Sequence, residues 1–157
     1  PLTFQNDYRN IKIKNNSVDL IIIPNLMHHI YDHKKLIKQC KKILKKNGKL
    51  YIFEPTLREI HQYPEDYFRF TPFSLKMVLK EIGFKKVNYS FSGGPFTAIA
   101  YCLDQALQYL PRNKRDTFKK KYVGNIQNFE GLDKKYKKNL VRKNTIFPMS
   151  FSITASV

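Results

Sequence analysis

Apolar residues recur along this chain with more than one period. Val18 to Ile23 is a short, largely β-branched run interrupted only by Asp19, without the alternation of a half-exposed strand. It predicts a strand covered on both faces of a parallel sheet. The period then changes. Leu36, Ile37, Cys40, Ile43 and Leu44 share one stripe at helical spacing, and Lys34, Lys38, Lys41, Lys42 and Lys45 share the opposite one. Asp32 is placed to cap that helix, which begins near His33. Asn47-Gly48 is placed to end it, where a left-handed residue is wanted. Lys49 to Phe53 reads as a second strand. Strand, helix and strand in this order predict a right-handed βαβ unit.

A second helix is announced by Thr71-Pro72, with Thr as N-cap and Pro at the first position. Leu75, Val78, Leu79 and Ile82 make its buried stripe, and Gly83 ends it. Phe84 to Phe91 alternates as a strand does. Ser92 to Pro95 is a turn without the spacing of a phosphate-binding loop. Residues 96–123 are helical in pattern, with a wide apolar face from Phe96 to Leu110, a break at Pro111, and a basic continuation. Residues 124–146 are polar and Lys-rich, and read as a mobile loop or short helix. Phe147 to Val157 alternates as a last strand. The expected organisation is one partial α/β domain: core βαβ units over 1–95, a helical cap or insertion over 96–146, and a final strand over 147–157.

Charge adds a question of partners. Lys and Arg number 29 against 12 Asp and Glu, a net charge of +17, enough to attract nucleic acid or anionic lipid at low salt. The lysines are spread along every helix, and Asn, Ile and Tyr are abundant too, the mixture an AT-rich coding bias produces. A solvated basic surface is the expectation. Arg-rich clusters and RNA-stacking motifs are missing, which speaks against nucleic acid as a partner. The apolar helix followed by Arg112, Lys114, Arg115 and Lys119 suits either a cap on the domain, the preferred reading, or peripheral contact with an anionic membrane. Cys40 and Cys102, both in helical stripes, do not make a secreted disulfide framework, so a cytoplasmic location is expected. The chain begins at Pro1, which predicts a piece of a longer protein.

Candidate chemistry gathers where the two parallel strands end. In open α/β sheets ligands bind in the crevice beyond the carboxyl ends of the strands. The loop Pro24 to His29 belongs there. His28 and His29 are candidates to hold that loop, touch a ligand or take a proton from a substrate. Pro55 stops ladder pairing, so Glu54 is expected to point into the same crevice as a further candidate base. The stretch Tyr63 to Phe70 is too aromatic for a plain linker. It is expected to wall a pocket, with Asp66 and Arg69 as polar anchors, or to act as a brace in which those two pair. His28, His29, His33 and Asp32 raise the question of a metal. The helix starts at Asp32 and no third ligand follows at tight spacing, so no metal site is expected.

These stretches in order carry a family resemblance. Ser17-Val18-Asp19-Leu20-Ile21-Ile22, the loop Asn25 to Ile30, the helix ending Ile43-Leu44-Lys45-Lys46-Asn47-Gly48 and the strand ending Phe53-Glu54-Pro55 resemble the fourth and fifth strands of class I S-adenosylmethionine-dependent methyltransferases. Tyr63 to Pro72 is similar to a segment of one branch of that family. The resemblance covers roughly residues 1–96 and the last strand. It implies a Rossmann-like, doubly wound sheet, incomplete at the N-terminus, with an antiparallel final strand. It implies S-adenosylmethionine as cofactor and methyl transfer to a small-molecule, lipid or sugar acceptor. The segment Asp7 to Asp19 matches the family's register, departing at Lys12 and Asn15. Carried over, Asp7 accepts the adenine amine with Tyr8 beside the ring, and Ile23, Pro24, Asn25 and His29 line the methionine end. His28, His29 and Glu54 are the candidate catalytic groups, and His61, Tyr67 and Arg69 lie on the acceptor side.

The family's Gly-rich loop does not occur in this sequence. Glycine there lets backbone approach the cofactor. The isolated 157 residues are therefore expected to bind S-adenosylmethionine poorly and to be inactive alone, with the first strand left as a sheet edge. The rival expectations are a noncatalytic basic adaptor for RNA or anionic membrane, and a degenerate methyltransferase fold.

Overall fold

The computed structural model describes residues 12–123, 129–136 and 146–157. The chain divides into two compact units, Pro1–Ser90 with Phe151–Val157, and Phe91–Ser150.

The first unit is built on β1 (Val18–Pro24), α1 (His33–Ile43), β2 (Leu44–Pro55), α2 (Pro72–Ile82), β3 (Lys85–Ser92) and β4 (Ser150–Ser156). The four strands form one sheet in the order β1-β2-β4-β3. β1 and β2 are parallel, Ile21 opposite Leu50 and Ile23 opposite Ile52, as the βαβ reading requires. β4 runs the other way. The Ser156 hydroxyl donates to the Lys85 carbonyl at 3.4 Å, and Ser90 and Ser152 share a hydrogen bond at 2.8 Å. The Val157 N–H donates to the Gly48 carbonyl, which sets the end of β4 beside the start of β2. An antiparallel last strand is what the resemblance implied; its place between β2 and β3 is seen only in the structure.

One sheet face is packed. Ile23, Leu50, Ile52, Phe151, Ile153 and Ala155 are buried, together with Leu36, Ile37, Cys40 and Ile43 of α1 and Leu75 and Leu79 of α2. Each fully buried aliphatic side chain contributes about 1.5–3 kcal/mol. The opposite face differs from expectation. Leu20 is 51% and Ile22 58% exposed, so among the described residues β1 is covered on one face only. The run lacked alternation because both faces are apolar, whether or not both are covered.

Helix ends follow their local signals. The Asp32 carboxylate accepts from the Lys35 N–H at 3.1 Å and caps α1. Thr71 and Ser74 form a reciprocal capping box on α2, Pro72 opens that helix, and Gly83 closes it at φ 90°. The start of β2 departs from the pattern. Leu44, on the helical stripe, already has extended backbone and pairs with Val18. Asn47 does take a left-handed φ of 69°, but inside the strand, where the register slips so that Leu20 faces Lys49. Gly48 is needed there because a Cβ would lie 2.8 Å from the Lys45 carbonyl oxygen.

The second unit contains α3 (Pro95–Leu107), α4 (Arg112–Phe118), a π-helical turn (Lys119–Val123) and α5 (Phe129–Lys135). α3 has no N-cap side chain of its own. Asp133 of α5 supplies one, accepting from the N–H groups of Phe96 and Thr97 and from the Thr97 hydroxyl. At the other end Arg115 donates to the carbonyls of Gln108 and Leu110. An acid at the N-terminus and a base at the C-terminus both complement the helix dipole. The segment 124–146, expected as a mobile loop or short helix, contains α5, and the remainder of it lies outside the described residues except for Tyr136 and Ile146. Cys102, placed on the apolar stripe from sequence, is exposed. No helix among the described residues is long and apolar enough to cross a membrane.

Candidate active site

The two loops that leave the neighbouring parallel strands meet. Asn25 turns the chain at the end of β1 with a φ of 50°, and its N–H donates to the Phe53 carbonyl of β2 at 2.8 Å. Met27–His29 then makes a single tight turn. From the other side, the N–H groups of Tyr67 and Phe68 both donate to the His28 carbonyl, at 2.9 and 3.3 Å. The His29 Nδ1 donates to the Glu65 carbonyl at 2.5 Å. The segment after β2 is thus strapped over the loop after β1.

Glu54 fastens this arrangement from within. Its side chain follows Leu50 and Ile52 on the packed face and is fully buried. Oε1 accepts from the N–H groups of Leu26 and Met27 at 2.9 and 2.8 Å, and Oε2 from His28 Nδ1 at 2.5 Å. A buried carboxylate needs such partners. Where the sequence places Glu54 in an open crevice as a candidate base, the structure buries its side chain, with both oxygens accepting hydrogen bonds from the loop it holds.

Arg69 is engaged in the same way. Its guanidinium pairs with both oxygens of Asp66 and donates to the carbonyls of Glu59 and Phe68. Asp66 also accepts from the His61 N–H at 2.9 Å. The Arg69 hydrogen bond holds the Asp66 carboxyl well below the usual carboxylate range, against the opposing effect of burial. Asp66 and Arg69 pair as the brace reading expects, and they tie together the segment from Arg58 to Arg69.

Three predicted site residues come together, although they were assigned different roles. The rings of His28, His29 and His61 lie with centroids 4.0, 5.3 and 4.7 Å apart. His29 Nε2 is 3.1 Å from His61 Nε2. His33 stands outside this cluster, edge-on to Phe68 and Phe70 at 5.0 and 5.1 Å. Tyr67 is partly exposed and meets Tyr31 edge-on at 5.5 Å. Tyr31, 72% exposed beside the strap, was not singled out from sequence; a lone Tyr before a helix cap gives no signal. Pro24 and Asn25 sit at the strand end as expected, whereas the Ile23 side chain is packed in the core, leaving only its backbone for a ligand. Asp7 and Tyr8 lie outside the described residues.

Comparison with known proteins follows the same lines. Residues 2–52 match the family model described as a methyltransferase domain. No curated protein matches the chain by sequence. Among solved structures, a SAM-dependent methyltransferase from Archaeoglobus fulgidus is 16% identical with a TM-score of 0.54, over 92% of this chain and 62% of that one. The phosphoethanolamine N-methyltransferase 2 of Haemonchus contortus, solved with phosphomonomethylethanolamine and S-adenosylhomocysteine, is 18% identical with a TM-score of 0.52, over 96% of this chain and 35% of that one. The cyclase SpnF is 17% identical with a TM-score of 0.55, over 96% of this chain and 53% of that one. The chain thus spans less than two thirds of the length of each of these proteins.

Proposed function

From a chain with the class I S-adenosylmethionine-dependent methyltransferase fold, matched over residues 2–52 by the methyltransferase-domain family, we infer that this domain serves methyl transfer from S-adenosylmethionine. The carrying observation is the pair of parallel strands whose ends, at Asn25 and Phe53, are hydrogen-bonded to each other, the position beyond which ligands of such sheets bind. The acceptor is a small molecule, a lipid or a sugar, methylated on oxygen, nitrogen or carbon.

The sulfonium carries its own good leaving group, so the protein's task is to hold donor and acceptor in line. Backbone at Ile23, Pro24 and Asn25 contacts the methionine end of the cofactor, and Asp7 and Tyr8 its adenine. His29 and His61, with Nε2 atoms facing each other, are the groups available to an acceptor proton. Glu54 keeps the loop in register beneath them. Tyr67 and Tyr31 border the acceptor side.

The test does not need tight binding. S-adenosylhomocysteine titrated into isotope-labelled protein is expected to shift the amide signals of Asn25, Leu26 and His29, and not those of α5, at millimolar concentration. No shift in that loop at saturating ligand would remove the reading.

A further inference from the structure

We propose that His28, His29 and His61 form a binding site for a single Zn2+ ion. One ring nitrogen from each of the three lies within 4.8 Å of the other two. Spacing along the chain hides the site, because His61 arrives on the loop of the neighbouring strand.

The proton positions carry the argument. A backbone carbonyl only accepts hydrogen bonds. His29 Nδ1 is bonded to the Glu65 carbonyl and His61 Nδ1 to the Glu59 carbonyl, at 2.5 and 3.0 Å. Each Nδ1 therefore carries a hydrogen. A neutral imidazole has one N–H, so both Nε2 atoms present lone pairs, and these face each other at 3.1 Å. Two facing lone pairs require a cation between them. A proton shared by the pair would meet that need. It would do nothing for His28, whose Nδ1 is held by the Glu54 carboxylate and whose Nε2 is buried with no partner. His28 is 2% exposed, so an unmet nitrogen there is costly. One metal ion satisfies all three.

The surroundings fit as well. Metal-ligating histidines almost always give their other ring N–H to a carboxylate, a carbonyl or water, which fixes tautomer and ring orientation. Here Glu54, Glu65 and Glu59 supply those acceptors, and the Asp66 carboxylate lies 3.3 Å from His61 Nδ1. Three nitrogens at about 2.1 Å from a tetrahedral Zn2+ lie roughly 3.4 Å apart, so the rings close by small rotations. His61, whose side chain is 23% exposed, has the most room to adjust about its Glu59 hydrogen bond. Three imidazoles leave a fourth position for water or for an acceptor oxygen or sulfur. That last assignment rests on the methyl-transfer reading, and the ion site itself does not.

The test is a titration of the chelator-stripped chain with Zn2+ by calorimetry, without S-adenosylmethionine, paired with Co2+ followed by visible absorption. One ion per chain is expected, with tetrahedral nitrogen-rich Co2+ bands that Zn2+ abolishes. Glu54→Gln is expected to fold and to weaken binding by about 10–100-fold, because its amide favours the His28 tautomer protonated on Nε2. His61→Ala should lose more, and His33→Ala should bind as the parent does. Failure to bind Zn2+ below millimolar concentration, with nitrogen shifts showing a proton held between His29 and His61, would overturn the proposal. So would binding that survives His61→Ala. Either failure leaves the S-adenosylhomocysteine titration untouched, so the two readings fall separately.

Discussion

Replacing Glu54 is the sharpest probe of how this site is held. In Glu54→Ala the N–H groups of Leu26 and Met27 and the Nδ1 of His28 lose the acceptors they reach at 2.9, 2.8 and 2.5 Å. Met27 and His28 are buried, so their donors cannot turn to bulk water. Each buried donor left unmet costs roughly 1–3 kcal/mol. The expected loss is about 4 kcal/mol, less any contribution from water entering the space vacated. Glu54→Gln separates shape from charge. Its carbonyl oxygen can keep both backbone N–H groups, and its NH2 can donate to His28 Nδ1 once the ring moves its proton to Nε2. Its expected cost is about 1–2 kcal/mol. The chain has no Trp, so urea unfolding is best followed by far-UV circular dichroism. At the size of this chain the Ala variant should melt roughly 10 °C lower. If Ala and Gln cost the same, or if Ala lies within about 1 kcal/mol of the parent, the carboxylate does not hold the loop as described.

Two further outcomes follow from titrating groups. The folded Asp66 carboxyl is held below its unfolded value by Arg69, so its contribution is complete above the unfolded pKa of about 4 and is lost as pH falls from there toward the depressed folded value. Asp66→Asn should therefore flatten the acid limb of a stability-against-pH curve and lower stability at neutral pH. Parallel acid limbs for parent and variant would refute the brace. Burial pushes the Cys40 thiol up to about 11, whereas Cys102 is exposed. A maleimide should modify Cys102 rapidly in native protein and Cys40 only in denaturant, and fast modification of both by mass spectrometry would contradict the packing of α1.

Legibility in the sequence divided along a physical line. Signals that act within a few residues were readable: the Asp32 cap, the Thr71-Pro72 start, the Gly83 stop. Each of these satisfies a local backbone group, and the fold could not easily override them. The boundary between α1 and β2 was not readable, because Leu44 is apolar and serves a helical stripe and a strand equally well. The pairing that decides it, Val18 with Leu44, is remote. The same holds for the site. His28, His29, Glu54 and His61 were each named from sequence, but with roles suited to isolated side chains. Their mutual contacts depend on β1 and β2 being adjacent and on the strap from Tyr63 to Phe70 crossing back over the loop. Arg69 reads equally as a pocket anchor or a brace until Asp66 is seen to hold it on both oxygens.

Where Glu54 sits explains why the histidine cluster does not depend on a bound cofactor for its shape. Pro55 ends the pairing of β2, so Glu54 occupies the last regular position on the packed face, directly under the loop from β1. A hydrophobic residue there would leave the Leu26 and Met27 N–H groups unmet, and an exposed acid would gain nothing from the core. A buried carboxylate with three donors is stable at that position only because the loop closes over it, and the loop closes only because the carboxylate is there. The strap then adds its own hydrogen bonds to the His28 carbonyl and to His29. The ring nitrogens that face one another are thereby held by groups on their far sides, before any ligand enters. Preorganisation of that kind suits either a proton acceptor or a metal ligand. A ligand entering beyond the strand ends meets a surface already set by Glu54 from below and by Asp66 from the side.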